Sequence, residues 1–245
     1  MAPQVSASSA GTVRIGDRVV NRLGLGTNRV TDTEPTRALL RRAVELDVNF
    51  IDTADIYQSN ASETTIGKTL RPLPPGVIVA TKGGMTRPGV NGHPDYLRQA
   101  VEGSLERLGT DCLQLYQLHQ VDPEVPLEES VGALKELQAE GKIRHIGLSN
   151  VTVEEVERAR RVVPIVSVQN QYNIGDRGSE NVVDFCTEHG IVFLPWNPVK
   201  RGDLSAETTL AEVAAELDVT VHQLALRWLL RRSPMMLPIP GTLSE

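Results

Sequence analysis

Four polar residues of complementary chemistry stand at or just past the ends of apolar runs in the phrases NFIDTADIY, VIVATKGG and LQLYQLH: Asp52, Tyr57, Lys82 and His119. A phenol with an ordinary pKa of about 10 is a poor acid near neutrality. A neighbouring ammonium eases its ionisation by favouring the phenolate. Lys82 is such a cation, Asp52 is a carboxylate able to hold it, and His119 could orient a carbonyl or share the proton. Together they suit general acid catalysis, in which a positioned donor protonates an oxygen as negative charge develops on it. The same lysine could instead serve as a Schiff-base nucleophile toward a carbonyl.

Taken singly, each residue has an ordinary explanation. Asp52 could cap a turn after a strand, Tyr57 could be a loop tyrosine, Asp55 a loop carboxylate and His119 a satisfied core histidine. Lys82 is harder to dismiss, because burying an unpaired amine beside an apolar run is costly. Four such groups at the ends of neighbouring segments point to a common site.

The elements that must position them form a repeating series. VRIGDRVV reads as a hairpin turning at Gly16-Asp17, able to plug one end of a barrel. Eight short apolar runs follow, LGLGT, NFIDTA, VIVATK, LQLYQLH, HIGLSN, IVSVQN, IVFLPWN and MMLPIPG, separated by segments of helical period. Gly109, Gly141 and Gly190 stand just past helical patterns, where a left-handed residue ends a helix. Thr152 with Glu155 and Thr220 with Gln223 have capping-box spacing. Leu127, Val131, Leu134 and Leu137 recur at helical period and should face the sheet.

Continuous apolar strands imply a parallel sheet covered by helices. Eight units without a composition break predict an α/β fold, a (β/α)8 TIM barrel with an N-terminal hairpin cap, rather than an open doubly wound sheet. Residues 1–12 read as a disordered start, and residues 13–245 as one barrel domain whose final outer helix is missing, since few residues follow the eighth run. The groove beside that run is therefore expected to be partly bare.

Of 245 residues, 40% are hydrophobic and 23% charged, ordinary values for a chain with a sizeable core. The net charge of −6 speaks against a nucleic-acid partner, which calls for a basic face. No run approaches the roughly twenty apolar residues of a membrane helix, and MAPQVSASSAG lacks the basic start and apolar core of a secretion signal. Cytoplasm is the expected compartment. Cys112 and Cys186 read as buried free thiols, and the five histidines show no metal-binding spacing. GLGTNR stops after its second glycine, so a Rossmann-type dinucleotide site is disfavoured.

The phrases GLGT, NFIDTADIY, ATKGG, LQLYQLHQVDP, GKIRHIGLSN, VQNQYN, PWNPV and PIPGT, in that order from Arg22 to Thr242, resemble the aldo-keto reductase superfamily. DTADIY with LH and GLSN at the matching strands is a specific combination. The resemblance implies an NADPH-dependent carbonyl reductase acting on a small aldehyde or ketone. Tyr57 would be the general acid, Lys82 and Asp52 its tuners, and His119 the carbonyl-orienting residue.

By the same resemblance, Ser149, Asn150 and Gln169 would hydrogen-bond the nicotinamide carboxamide and Trp196 would stack on its ring. Asn197, Pro198, Val199, Lys200 and Gly202 would form the loop over the pyrophosphate, with Thr27, Asn28, Gly241 and Thr242 also beside the cofactor. The family's basic clamp for the adenosine 2′-phosphate has no counterpart among the few residues after Gly241, which leaves NADH open as a cofactor. A different use of the fold, as in channel β-subunit relatives, would be a nucleotide-sensing or partner-binding module with little turnover. His119 argues against it, because those relatives depart from histidine there.

Overall fold

The structure is a computed structural model that describes residues 5–204 and 208–243. The hairpin comes first, β1 (Thr12–Ile15) pairing antiparallel with β2 (Arg18–Asn21). Seven parallel strands follow, each hydrogen-bonded to the next: β3 (Leu25–Gly26), β4 (Phe50–Asp52), β5 (Ile78–Gly83), β6 (Leu115–Leu118), β7 (Ile146–Ser149), β8 (Ile165–Gln169) and β9 (Val192–Phe193). Between them run α1 (Glu34–Glu45), α2 (Ala61–Leu70), α3 (Pro94–Leu108), α4 (Leu127–Ala139), α5 (Val153–Arg160) and α6 (Glu180–Glu188); α7 (Thr208–Glu216) and α8 (Val221–Arg232) follow β9.

MMLPIPG closes the ring without forming a regular strand. On one side Phe193 donates to the Met235 carbonyl and Leu237 to the Phe193 carbonyl, both at 2.9 Å. On the other, Gly24 donates to Pro238 at 2.9 Å and Gly26 to Pro240 at 3.0 Å. Pro238 and Pro240 have no N–H, so this face of the segment accepts hydrogen bonds but returns none. The result is a closed (β/α)8 barrel with seven ladder strands and a proline-interrupted eighth. Among the described residues, none after Ile239 is helical.

Local signals set the helix ends. Gly109 ends α3 at φ +66° with its N–H on the Leu105 and Glu106 carbonyls, and both expected capping boxes are formed, at Thr152/Glu155 and Thr220/Gln223. Leu127, Val131, Leu134 and Leu137 are all buried on α4. The start of the chain departs from its expected disorder. Ala7–Ala10 form a 3-10 turn, Ser6 Oγ accepts the Ser8 N–H, and the buried Ala7 donates to Leu46 at 2.8 Å. The reason is local, since a short polar segment can be ordered by a few hydrogen bonds that a composition reading does not see. Residues 1–4 lie outside the described residues.

Side-chain alternation divides the strands between two layers. Phe50, Ile78, Ala80, Leu115, Val192, Leu194, Leu237 and Ile239 face inward and pack with Val13, Ile15 and Val20 of the hairpin, which plugs the N-terminal mouth. Ile51, Val79, Tyr116, Leu118, Ile146, Leu148 and Val168 face outward into the shell of helices. Ascending by two from Phe50 and Ile78, the same inward parity brings Asp52 and Lys82 into the barrel at its C-terminal mouth. No helix among the described residues is long and apolar enough to cross a membrane.

Barrel closure leaves little room at β3. A Cβ added to Gly26 would meet the Ile239 carbonyl oxygen at 2.6 Å, a main-chain atom that cannot turn aside. Gly26→Ala should therefore cost about 1–3 kcal/mol, read as a lower urea midpoint at unchanged slope. An unaltered midpoint would show that this seam gives way freely.

Candidate active site

Lys82 is fully buried, and its three ammonium hydrogens have three acceptors: Asp52 Oδ2 at 2.9 Å, the Thr53 carbonyl at 2.7 Å and Tyr57 Oη at 3.3 Å. The other Asp52 oxygen accepts from Gln169 Nε2 at 2.8 Å. Adjacent strands hold this arrangement, with Asp52 opposite Ala80 in the β4–β5 register and Lys82 one inward position further along. Tyr57 reaches back over the pair from the following loop, and its ring meets His119 edge-on at 5.9 Å between centroids. Strand β6 ends just before His119, whose N–H donates to the Gly83 carbonyl at 2.9 Å. The four residues that the sequence places at strand ends thus meet at one point.

Electrostatics here differ in one respect from the sequence expectation. Burial alone would lower the Lys82 pKa, but the Asp52 carboxylate and the Tyr57 oxygen hold it above the usual lysine value. Lys82 therefore stays an ammonium with every hydrogen engaged, which removes the lone pair that Schiff-base chemistry needs. The Tyr57 phenol is also raised, not lowered. Burial is the largest cause and Asp52 and Asp55 add to it, outweighing the opposing pull of Lys82. Burial and the Lys82 charge push His119 down to about 3, so its ring is neutral near physiological pH. The buried Nδ1 of His119 has no hydrogen-bond partner among the described residues.

The residues matched to a nicotinamide cofactor surround the same mouth. Ser149 and Gln169 end β7 and β8 and are buried. Asn150 sits at φ +57° and bridges three groups, donating to the His119 carbonyl at 3.0 Å and to Ser149 Oγ at 3.2 Å and accepting from Trp196 Nε1 at 3.0 Å. Trp196 is half-buried at the rim. Beyond it Asn197 is left-handed at φ +57°, with a buried, unpartnered Oδ1. Pro198 is buried, Val199 packs against the small cluster of Leu204, Leu210 and Ala225, and Lys200 and Gly202 form a single 3-10 turn.

Thr27 turns inward instead, its hydroxyl donating to the Asp52 carbonyl at 2.7 Å and accepting from Ser62 at 2.9 Å. That hydroxyl is occupied in supporting Asp52. Asn28 is exposed, its carbonyl accepting from Gln58 at 2.9 Å, and Gly241 lies against Gly26, its carbonyl accepting from Arg29 at 3.2 Å. Thr242 follows at the edge of the described residues.

Three features escaped the sequence reading. The Thr53 carbonyl, third acceptor for Lys82, is a backbone group that no side-chain pattern announces. The loop after Tyr57 runs through three consecutive left-handed residues, Gln58, Ser59 and Asn60 at φ +49°, +55° and +73°. Such residues cost strain unless cross-links hold them, and Gln58 is tied to Asn28 and Asn60 to the Asp55 carbonyl at 2.6 Å. Finally, Asp55 is not a surface loop carboxylate: it is 5% exposed.

A separate cavity of about 600 Å³ opens near Arg14, Arg160, Arg161 and His189, at the N-terminal ends of β8 and β9. None of the four clustered residues lines it. No group of histidine, cysteine or carboxylate side chains able to hold a metal occurs among the described residues.

The sequence profile of the aldo/keto reductase family matches residues 21–245. An uncharacterized oxidoreductase of Schizosaccharomyces pombe is 46% identical over 97% of this chain and 82% of its own length. Pyridoxine 4-dehydrogenase of Escherichia coli is 37% identical over 96% of this chain and 90% of its own. Among solved structures, an aldo/keto reductase from Klebsiella pneumoniae in complex with NADP and acetate superposes with a TM-score of 0.82 at 29% identity, covering 95% of this chain and 85% of that one.

Two outcomes test the electrostatics. Asp52→Ala strands a buried ammonium and should cost roughly 3–5 kcal/mol, much of it recovered when Lys82→Met is added; additive losses in urea unfolding would contradict a coupled pair. His119 has a folded pKa of about 3, below its ordinary value of 6.5. Its contribution to stability is complete above pH 6.5 and is lost as pH falls toward 3. His119→Gln should flatten that acid slope, and an unchanged slope would place the titrating group elsewhere.

Proposed function

The chain belongs to the aldo/keto reductase family, and from that membership we propose that it is an NADPH-dependent oxidoreductase that reduces an aldehyde or ketone to an alcohol, with Tyr57 as the proton donor. The observation that carries this reading is the water-excluded ammonium of Lys82, held at 2.9 Å from Asp52 and 3.3 Å from the Tyr57 oxygen, beside a histidine whose buried Nδ1 has no partner among the described residues.

The mouth suits a nicotinamide. Ser149, Asn150 and Gln169 would hold the carboxamide, and the half-buried Trp196 offers the ring a stacking face. The buried, unpartnered Oδ1 of Asn197 is an acceptor still lacking a donor, as expected of a loop that closes over a ligand. Asn150 would give up its bonds to His119 and Trp196 to reach a carboxamide. Pro198, Val199, Lys200 and Gly202 would line the pyrophosphate side, with Asn28, Gly241 and Thr242 opposite. Held there, a reduced nicotinamide would supply the hydride for the carbonyl carbon.

The remaining work falls to this chain's own groups. Neutral His119 has one ring N–H to give, and it would fix the carbonyl oxygen within reach of Tyr57. The Tyr57 hydroxyl then delivers its proton as charge grows on that oxygen. A raised phenol pKa does not prevent this step, because an alkoxide is a far stronger base than a phenolate. It keeps the donor protonated at neutral pH. Lys82 stabilises the phenolate left behind, and Asp52 prevents the ammonium from drifting.

The NADP-bound Klebsiella relative supports the choice of phosphorylated cofactor. A small carbonyl compound is the proposed partner and the cytoplasm the proposed compartment. Pyridoxine, named in the E. coli relative, is one alcohol to assay in the reverse direction.

Consumption of NADPH with a reactive aldehyde should be readily measured for the wild type and fall about 10²–10⁴-fold in Tyr57→Phe. Undiminished turnover would remove Tyr57 as donor. Titrating Trp fluorescence with NADPH and NADH should give tighter binding for NADPH, with the quenching lost in Trp196→Phe. Equal affinities would overturn the cofactor preference.

A further inference from the structure

On the outer face of the barrel wall, directly behind Lys82, lies a polar niche in an otherwise apolar shell. Gly83 makes the space, since a methyl group there would overlap Tyr116 Oη and approach Asp55 Oδ2 at 3.2 Å. Asp55 enters the niche from the loop between Asp52 and Tyr57. Its main chain is fixed on both sides, the N–H donating to the Lys82 carbonyl at 3.0 Å and the carbonyl accepting from Asn60 at 2.6 Å. The backbone from which the carboxyl group projects is therefore held in place, and the residue is buried.

Inside, its needs are poorly met. Asp55 Oδ2 accepts one long hydrogen bond, from Tyr96 of α3 at 3.5 Å, Oδ1 is buried without a well-formed one, and the Ile56 N–H only partly eases the charge. Tyr116 of β6 presents a buried hydroxyl that is also unpartnered. The guanidinium nearby is already taken, as Arg107 Nε of α3 donates to Glu63 of α2 at 2.7 Å, and the other Glu63 oxygen accepts from Thr81 at 2.5 Å. On the far side of the wall stand Lys82, Asp52 and Tyr57. A carboxyl group is almost never fully buried without a charged partner. Asp55 stands two residues before Tyr57, on the main chain that hydrogen-bonds the Lys82 carbonyl, and its charge acts on the phenol through space, raising its pKa.

We propose that Asp55 is a positioning residue for the reduction, its enclosed carboxyl group setting the electrostatic field in which Tyr57 holds its proton. This rests on Tyr57 being the donor. When Asp55 is ionised it disfavours the phenolate and keeps Tyr57 protonated; when neutral it relaxes that hold. Burial first, and then the Glu63 carboxylate, lift the Asp55 carboxyl to about 7, so the two states exchange in the range where enzymes work.

Two measurements decide the matter. In the pH profile of kcat with NADPH and an aldehyde, the alkaline limb should move to lower pH by roughly half to one unit in Asp55→Asn. KM for the aldehyde should stay as it was. Asp55→Glu, which keeps the charge, should restore the limb. A uniform fall in kcat with an unmoved limb would overturn the proposal.

Independently of turnover, tyrosine labelled at ζ-carbon should show, in the Tyr57 resonance assigned with Tyr57→Phe, an NMR step centred near pH 7. The step should vanish in Asp55→Asn; no step in the wild type, or one that survives the substitution, would also overturn it. If Asp55→Asn does not fold, Tyr96→Phe removes the carboxyl's hydrogen bond at an accessible position and should shift the NMR step to higher pH. An unmoved step counts against the proposal. A wild type that binds NADPH without turnover would defeat the proposed function, and the NMR step would still decide the role of Asp55.

Discussion

A single ammonium inside the barrel organises the mouth of this protein. Lys82 has no contact with water, so its charge is tolerable only because Asp52, the Thr53 carbonyl and Tyr57 take its three hydrogens. Each of those partners is in turn constrained. Asp52 is fixed by Gln169 across the barrel, and its carbonyl accepts from both the N–H and the hydroxyl of Thr27. A buried ion pair is poor evidence of stability, since apolar residues of like size often do as well. What this one supplies is a cation whose position cannot relax, next to a phenol that needs one.

The requirement reaches far from the site. Strand parity must carry Asp52 and Lys82 inward together, which ties their placement to Phe50 and Ile78 lower in the barrel and to the hairpin that plugs it. Closure must hold the ring at a fixed diameter, and it does so through a segment whose prolines accept hydrogen bonds from Gly24 and Gly26. The barrel wall thus fixes both strands that carry the ion pair. Above it the Tyr57 loop is a left-handed run whose strain is offset by the hydrogen bonds of Gln58 and Asn60.

Much of this was legible in the sequence, and the part that was not has a common physical cause. Period and capping residues mark the helices, and apolar runs mark the strands, because burial and hydrogen bonding act locally on them. The four clustered residues could be singled out because each stands at the end of such a run. MMLPIPG reads as a strand by its apolar content, yet its prolines deny it a ladder and only the neighbouring strands reveal what it does. Asp55 is the instructive case. It is flanked by Ala54 and Ile56 and looks like any loop acid, and its burial depends on the open space at Gly83 and on Tyr96, residues remote in sequence. The sign of the Tyr57 shift was missed for the same reason, since two acidic neighbours and desolvation act together with the one lysine that the phrases made visible.

That sign changes how the chemistry should be pictured. A phenol pulled far down would lose its proton near neutrality and could not donate. Here burial, with the Asp52 and Asp55 carboxylates adding to it, keeps Tyr57 protonated while Lys82 waits 3.3 Å away, so the ammonium matters most once the proton has left. Differential stabilisation of this kind needs a cation that neither moves nor titrates, and a lysine with three fixed acceptors in a dry barrel meets both conditions. The acid strength of the site is therefore a property of the whole wall between β4 and β6, with Asp52 on its inner face and Asp55 on its outer one, and not of a tyrosine–lysine pair alone.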